Sequence, residues 1–434
     1  MTLRAAGHQA YLAGGCVRDL LAGREPSDYD VATSARPEEV LALFPGAVAV
    51  GAHFGVVRAR GVEVATFRSD HSYRDGRHPE EVVFETDPRQ DVLRRDFTIN
   101  GLLLDPATNE VLDFVGGRAD LRDRIIRAIG DPRRRFAEDH LRMLRAVRFA
   151  ARFGYAIEPE TLAAIRELAP SIHRVSAERV RDELTRILTE GRARRGMELL
   201  DETGLLAEVL PECRALQGVE QPPEYHPEGD VWTHTLLMLD QLDHPSAPLA
   251  WGALLHDIGK PATFRRAPDR IRFDGHVEAG LRIARGILTR LKFSRDDTDR
   301  ILALVANHMR FLDAPRMKES TLKKFLRLDH FAEHLALHKA DCLASHGGLE
   351  TYEFVRAKLA ALPPEQLKPA PLVTGRDLIA LGLPPGPAFK RILTEAEDLQ
   401  LEGRLRTRDE ALAWLRAQPS GAAPVTGRPP RSAH

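Results

Sequence analysis

Asp28 and Asp30 stand one residue apart in the stretch SDYDVAT. On a β-strand, residues i and i+2 share a face, so a strand carrying both would aim two carboxylates the same way. Like charges that close repel unless a cation sits between them. Mg²⁺ suits the pair, because it favours one or two carboxylates together with nucleotide phosphates. Upstream, Gly14 and Gly15 allow a tight turn whose amides can approach a phosphate. Arg18, on the first turns of the helix that follows, is placed to pair with that phosphate. An Asp-x-Asp pair alone is a weak signal; the order strand, Gly-Gly, helix, Asp-x-Asp is a stronger one.

Two more clusters carry donors and acceptors. LRRDFTIN (93–100) presents Arg94, Arg95 and Asp96, and EDHLRMLRAVRF (138–149) presents Asp139, Arg142, Arg145 and, less well aligned, Arg148. On one continuous helix, three-residue spacing would line these four as a slowly rotating stripe. An Asp acceptor beside Arg donors on a rigid helix can hydrogen-bond the edge of a base. The ordinary alternative is a surface ion-pair ladder worth a few tenths of a kcal/mol, about 0.2–0.5 per pair.

The elements that must hold these residues read as follows. AYLAGG (10–15) and YDVAT (29–33) pattern as strands, and VRDLLAG between them as a short helix stopped by Gly23. GVVRAR and VEVATFR form a hairpin around Gly61, and FTINGLLLDP is a strand ending at Pro106. From residue 121 the pattern turns helical. FAEDHLRMLRAVRFAARFG is one amphipathic helix stopped by Gly154, and SAERVRDELTRILTEG begins on a capping box at Ser176. EQPPEYHPEGD (220–230) and LPPEQLKPAPLV (362–373) are Pro-rich breaks. The tail 419–434 is of low complexity and reads as disordered.

The ordered motifs LAGGCVRDLLAGREPSDYDVAT, FRSDHSYRDGRHPEEVVFETDPRQDVLRRDFTIN, LDFVGGRADL, EDHLRMLRAVRF and SAERVRDEL resemble those of class II tRNA nucleotidyltransferases and bacterial poly(A) polymerases over residues 8–190. The resemblance implies an α+β fold: a polymerase-β-like head with a small mixed sheet, then all-helical neck, HD and C-terminal domains. The boundaries it implies are 1–125, 126–218, 219–348 and 349–418, with the tail after them. It implies that Asp28 and Asp30 bind catalytic Mg²⁺ and that Gly15 and Arg18 contact a triphosphate. Asp96, with Arg95, would position the nucleotide through its ribose. Asp139 and Arg142 would pair with the incoming base, Glu138 would orient Arg142, and Arg145 and Arg148 would support base and phosphate. DFVGGRAD (113–120) resembles the springy segment that lets the template switch from C to A. The implied partners are tRNA, CTP and ATP, with neither DNA nor a membrane. The implied reaction is CCA addition without a nucleic-acid template. YRDGRHPEEVVF (73–84) resembles the flexible loop of members that add the terminal A, which speaks against a CC-only enzyme. A-only addition and poly(A) synthesis share the motifs and stay open.

In the second half, HPEGDVWTHTLLML, ALLHDIGKPATF, DGHVEAG, VANHM and HKADCLASHG place His234, His256, Asp257, His276, His308 and Asp341 in the order of the HD phosphohydrolase ligands. By that resemblance His234, His256, Asp257 and Asp341 hold one divalent ion (Mg, Mn, Ni or Fe). His276 and His308 add a second or bind phosphate, and a metal-activated water hydrolyses a phosphoester. The implied substrates are 2′,3′-cyclic phosphates or 2′-nucleotides. Lys260 either touches substrate phosphate or is an exposed lysine. The ordinary alternative is a helical scaffold with core histidines. Residues 374–416 resemble a C-terminal piece that grips tRNA through salt-sensitive phosphate contacts.

The bulk numbers fit. Formal net charge is −1, so overall charge names no partner, although 62 cationic and 63 anionic side chains can segregate. The first lysine is Lys260; every earlier cation is arginine or histidine. Three scattered cysteines without a CxxC suggest a reducing compartment and no thiolate metal site. No apolar run resembles a signal peptide or a membrane span, and the expectation is a cytoplasmic protein.

Overall fold

The computed structural model describes residues 1–51, 55–73 and 79–418. The middle of the loop expected at 73–84, and the tail expected at 419–434, lie outside the described residues. The chain divides into two compact units, one made of Met1–Ala306 with Ala344–His346, the other of Asn307–Leu343 with Gly347–His434.

The first unit opens with a mixed sheet. Its strands are β1 (Ala10–Ala13), β2 (Asp30–Thr33), β3 (Val48–Gly51), β4 (Val56–Ala59), β5 (Val62–Thr66), β8 (Leu102–Leu104) and β9 (Val111–Asp113), in the order β3-β4-β5-β2-β1-β8-β9. A separate hairpin pairs β6 (Arg68–Tyr73) with β7 (Pro79–Phe84). Only β2 and β5 run parallel in the large sheet, which brings Asp30 into register with Glu63. The expected hairpin at Gly61 forms, with φ +82° at that glycine. Ala13, Ala32, Phe67, Val92 and Leu103 make a core beneath the sheet. Between β1 and β2, Gly14 (φ +71°) turns the chain into the helix Gly15–Leu21.

Three local expectations are corrected. β2 starts at Asp30, and Asp28 lies in the bend before it, so the two carboxylates are not neighbours on one strand. FTINGLLLDP is a single 3-10 turn at Thr98–Asn100 followed by a three-residue strand. The long helix around Asp139 is two helices, Pro132–Glu138 and Leu141–Phe153. Asp139 is extended (φ −151°), and its carboxylate accepts the backbone N–H of Leu141 at 3.1 Å. It ends one helix, and His140 begins the next; the bond to Leu141 is a competition between side chain and backbone to which Asp is prone. Arg142, Arg145 and Arg148 therefore form the stripe without Asp139.

Downstream, the helix Leu141–Phe153 packs on the helices Ala177–Thr189 and Ala193–Glu202. The approach is close: a Cβ on Gly196 would stand 2.4 Å from Ile187 Cγ2. Ser176 precedes the helix Ala177–Thr189, but its side chain makes no cap hydrogen bond, so the expected capping box does not form. Helices Val231–Asp240 and Ala247–Leu255 are N-capped by Asp230 and Ser246.

The second unit is helical. Phe311, Phe325, Leu326, Phe331 and Val355 form one core. Val373, Leu378, Ile392, Ala396 and Leu415 form another. Ser320 and Lys323 bond Glu402 and the Leu401 carbonyl, so the helix Glu319–Leu326 is tied to the C-terminal helices.

Candidate active site and histidine site

Asp28 and Asp30 are both exposed at the start of β2. Burial, Glu63 and Asp28 all push the Asp30 carboxyl above its usual range, and Arg95 only partly opposes them. Three acidic groups thus crowd one end of the strand, an arrangement relieved by a bound cation. Glu63 was not singled out from sequence; its signal was an acid within the strand VEVAT. Arg95 lies over the glycine turn, where a Cβ on Gly14 would stand 2.8 Å from its Nη1. A Cβ on Gly15 would meet nothing nearer than Arg18 Nη2, at 3.6 Å. No protein atom therefore requires glycine at position 15.

Arg18 is buried. It forks onto Asp19 (2.9 Å from both Nε and Nη2), donates to Asn100 at 2.6 Å, and lies 4.5 Å from the Phe153 ring centroid. Arg94 and Arg95 both grip Asp91, which is fully buried and had no sequence signal beyond its spacing. Burial raises the Asp91 carboxyl, but the two guanidinium groups outweigh it and leave it below its usual value.

Asp96 takes four donors. Phe97 N–H and Asn100 reach Oδ1 at 2.8 and 3.0 Å, and Arg145 Nε and Nη2 reach Oδ2 at 2.9 and 2.6 Å. Burial works against the charge, but Arg145 and Asn100 hold this carboxyl far below the ordinary range. Arg142 donates to Glu138 at 2.8 Å and to the carbonyls of Arg135 and Arg94. Asp139 accepts from Arg179 at 2.7 Å. Arg148 is buried between Glu183 (2.7 Å), on the helix Ala177–Thr189, and Glu190 (3.1 Å) at its C-cap. Arg179 and Glu183 belong to SAERVRDEL, so that motif braces EDHLRMLRAVRF. The GG segment is also braced: Asp113 accepts backbone N–H groups from Val115, Gly117 and Arg118.

In the histidine region of the first unit, His234, His256 and Asp257 are almost wholly buried. His256 Nε2 lies 3.1 Å, and His276 Nε2 3.7 Å, from opposite oxygens of Asp257. The ring centroids of His234 and His256 are 5.4 Å apart. All three rings bond an internal acceptor through Nδ1: Glu228 at 2.7 Å for His234, the Ala253 carbonyl at 2.8 Å for His256, and the Phe273 carbonyl at 3.0 Å for His276. That fixes the tautomer and turns each Nε2 to the other side of its ring, as metal-binding imidazoles require. Burial depresses the His276 pKa, with Asp257 opposing, so its neutral form is favoured. Imidazoles turned this way, with a carboxylate beside them, fit a divalent transition metal. Lys260 is not exposed: it is 6% accessible and bonds Asp257 and Gln221, each at 2.6 Å. The Pro-rich break thus supplies Gln221, His226 and Glu228 to this region, none of which was singled out from sequence. His308 and Asp341 belong to the second unit, His308 buried at the start of the 3-10 helix His308–Arg316 and Asp341 on the helix Phe331–Ala344.

A carboxylate cluster beside a glycine turn, backed by braced arginines, defines a nucleotidyl-transferring head, and comparison with known proteins agrees. Residues 10–127 match the Poly A polymerase head domain, 154–216 the "Probable RNA and SrmB- binding site of polymerase A", and 230–340 the HD domain. An A-adding tRNA nucleotidyltransferase of Deinococcus radiodurans is 35% identical over 94% of both chains. A CC-adding tRNA nucleotidyltransferase of Thermus thermophilus is 35% identical over 94% of this chain and 93% of its own. The crystal structure of the Bacillus stearothermophilus CCA-adding enzyme in complex with CTP superposes with a TM-score of 0.74 at 29% identity, covering 95% of this chain and 94% of that one. The chain belongs to the tRNA nucleotidyltransferase family. Among the described residues, no helix is long and apolar enough to cross a membrane.

Proposed function

We propose that the protein adds C, C and A to tRNA 3′ ends from CTP and ATP. The observation that carries this is the braced pair Asp139 and Arg142. One is an acceptor held by Arg179, the other a donor held by Glu138. Such a pair can present a hydrogen-bond pattern to a base without a nucleic-acid template. In the reaction the RNA 3′-hydroxyl attacks the α-phosphate, the α–β phosphoanhydride bond breaks, and pyrophosphate leaves. Mg²⁺ bound at Asp28 and Asp30, with Glu63 beside them, would supply charge stabilisation to the attacking and leaving oxygens. Gly15, free of any steric demand from the protein, leaves room for a phosphate against the backbone, and Arg95 covers it. Arg18 shapes that turn through Asn100. Asp96 and Arg148 act as braces: Asp96 joins the helix Leu141–Phe153 to the head through Arg145, and Arg148 joins the same helix to Glu183. The test gives purified protein tRNAs ending before CCA, after C and after CC, with CTP, ATP or both, and an unstructured RNA as control. Growth that stops at CCA on tRNA alone is expected. A added only after CC, C added without A, or long A tails on any RNA would each overturn the reading.

A second activity is favoured by the imidazoles oriented through Nδ1. His234, His256, Asp257 and His276 would bind one divalent metal ion, which supplies a nucleophilic water for phosphoester hydrolysis. Cyclic 2′,3′-phosphates and 2′-nucleotides are the substrates to assay. No hydrolysis with Mg²⁺, Mn²⁺, Ni²⁺ or Fe²⁺ added would remove this activity.

A further inference from the structure

A cavity of about 620 Å³ lies at the C-terminal end of the helix Gly15–Leu21, the end away from the glycine turn, and Arg24, Arg118, Arg124, Arg192, Phe153 and Tyr155 line it. The four arginines come from three places in the sequence: the loop after that helix, the helix Gly117–Asp123 with its C-cap, and the N-cap of the helix Ala193–Glu202. Among the described residues none of the four pairs with a carboxylate. Arg122, a fifth arginine in the lining, does pair, with Asp123. Arg145 and Arg148 nearby are saturated by Asp96, Glu183 and Glu190. In a chain of net charge −1, four uncompensated guanidinium groups in one concavity concentrate positive potential where nothing internal offsets it.

Backbone conformation is a second, independent sign. Arg124 (φ +60°) and Arg192 (φ +55°) both occupy the left-handed region. That region disfavours any side chain with a Cβ, and two of the seven non-glycine residues at positive φ among the described residues line this one cavity. Glycine fills the same conformation next door at Gly154 and Gly191. Arg192 packs against Gly154, where a Cβ would stand 2.3 Å from its Nη1. The face of Phe153 carries Arg24 at 5.1 Å and Arg18 at 4.5 Å, so the cavity adjoins the back of the nucleotide-facing helix without sharing its glycine turn.

We infer that this cavity binds phosphodiester groups of the RNA substrate, at a point set back from the reacting 3′ end and separate from the incoming nucleotide. Guanidinium forks suit phosphate oxygens, and Arg192 and Tyr155 fall in the stretch matched by the RNA-binding family model. The inference rests on the reading of the protein as a tRNA-extending enzyme.

The test is the double variant Arg124→Gly/Arg192→Gly. Glycine tolerates the left-handed conformation, so the variant removes charge without imposing strain; Arg192→Lys keeps the charge, and a melting curve confirms folding. Binding of fluorescent tRNA lacking CCA is measured against salt, alongside KM for tRNA and for CTP and ATP. The expected result is a rise of about tenfold in Kd and in KM for tRNA, unchanged KM for the nucleotides, and a salt slope shallower by ~0.9 for each phosphate no longer neutralised. Partial recovery is expected in Arg192→Lys. Unchanged tRNA affinity and slope would overturn the inference. So would a raised KM for CTP, which would place the cavity in the nucleotide site. Loss of inorganic tripolyphosphate binding with tRNA binding intact would assign it to a free polyphosphate and overturn it too. Because direct tRNA binding needs no turnover, wild-type protein that binds tRNA through these arginines yet adds no nucleotide would sink the proposed reaction and leave the cavity assignment standing.

Discussion

In the head, Asp28 and Asp30 lie at the surface, and partial burial of its carboxyl together with Glu63 and Asp28 pushes Asp30 toward its protonated form. In the histidine region, His234, His256 and Asp257 are buried, and Lys260 and Asp257 neutralise each other. One region keeps its pair of carboxyl groups at the surface. The other orients each of its imidazoles through a single bond at Nδ1. The two therefore need different supports: guanidinium forks around the head's acids, and single Nδ1 acceptors behind each histidine.

The sharpest way to break this contrast is to disable each region alone. Asp28→Ala is expected to lower nucleotide addition by on the order of 10²–10³-fold while leaving phosphoester hydrolysis intact. Asp257→Ala is expected to do the reverse, and assays of both reactions on both variants would expose any shared site. Next in size, Glu228→Ala removes the acceptor behind His234. Metal affinity at the histidine site is expected to fall by about 10–100-fold, read by calorimetry on the metal-stripped protein, with nucleotide addition unchanged. An unaltered affinity would mean that Glu228 does not orient the ring.

A smaller effect comes from a feature the two regions share. A Cβ on Gly117 would stand 2.1 Å from the Thr98 carbonyl oxygen, and one on Gly259 would stand 2.0 Å from that of His276. Alanine at either position should cost about 1–3 kcal/mol in unfolding free energy. Only Gly259→Ala should also weaken metal binding, because it displaces His276. The smallest effect concerns Asp30. Its raised pKa means the folded state favours its protonated form, so its contribution to stability is full below the unfolded value near 3.8 and is lost as pH rises through the higher folded value. Asp30→Asn should therefore raise the melting temperature slightly at pH 7 and not at pH 3, while abolishing addition. A lower melting temperature at pH 7 would reverse the sign assigned to Asp30.

The element order of the head and the start of the neck was legible because its punctuation is local: Gly14, Gly23 and Gly61 in the head and Gly154 in the neck all take the positive φ that stops or turns the chain. The catalytic residue types were legible because they cluster in sequence. The braces were not. Asp91, Arg179, Glu183 and Glu228 look like ordinary surface charges until the fold sets each against its partner. Asp139 reads as helical because the hydrophobic period continues across it, while its side chain competes for the backbone N–H that ends the turn. Lys260 supports two readings in the sequence because burial cannot be read from a single charged residue.

One consequence follows from Lys260 and its two bonds. It is the first lysine in the chain, 6% accessible, and held by Asp257 and Gln221. Acetyl donors and other amine-acylating reagents thus find no side-chain amine anywhere in the nucleotidyltransferase head or its neck, and the first one they reach in the folded protein lies beyond Lys260. A lysine-specific endoproteinase acting on the unfolded chain would release Met1–Lys260 as a single peptide, with Asp28, Asp30, Arg142 and all the residues that line the arginine cavity on one fragment for mass analysis of any crosslink to RNA.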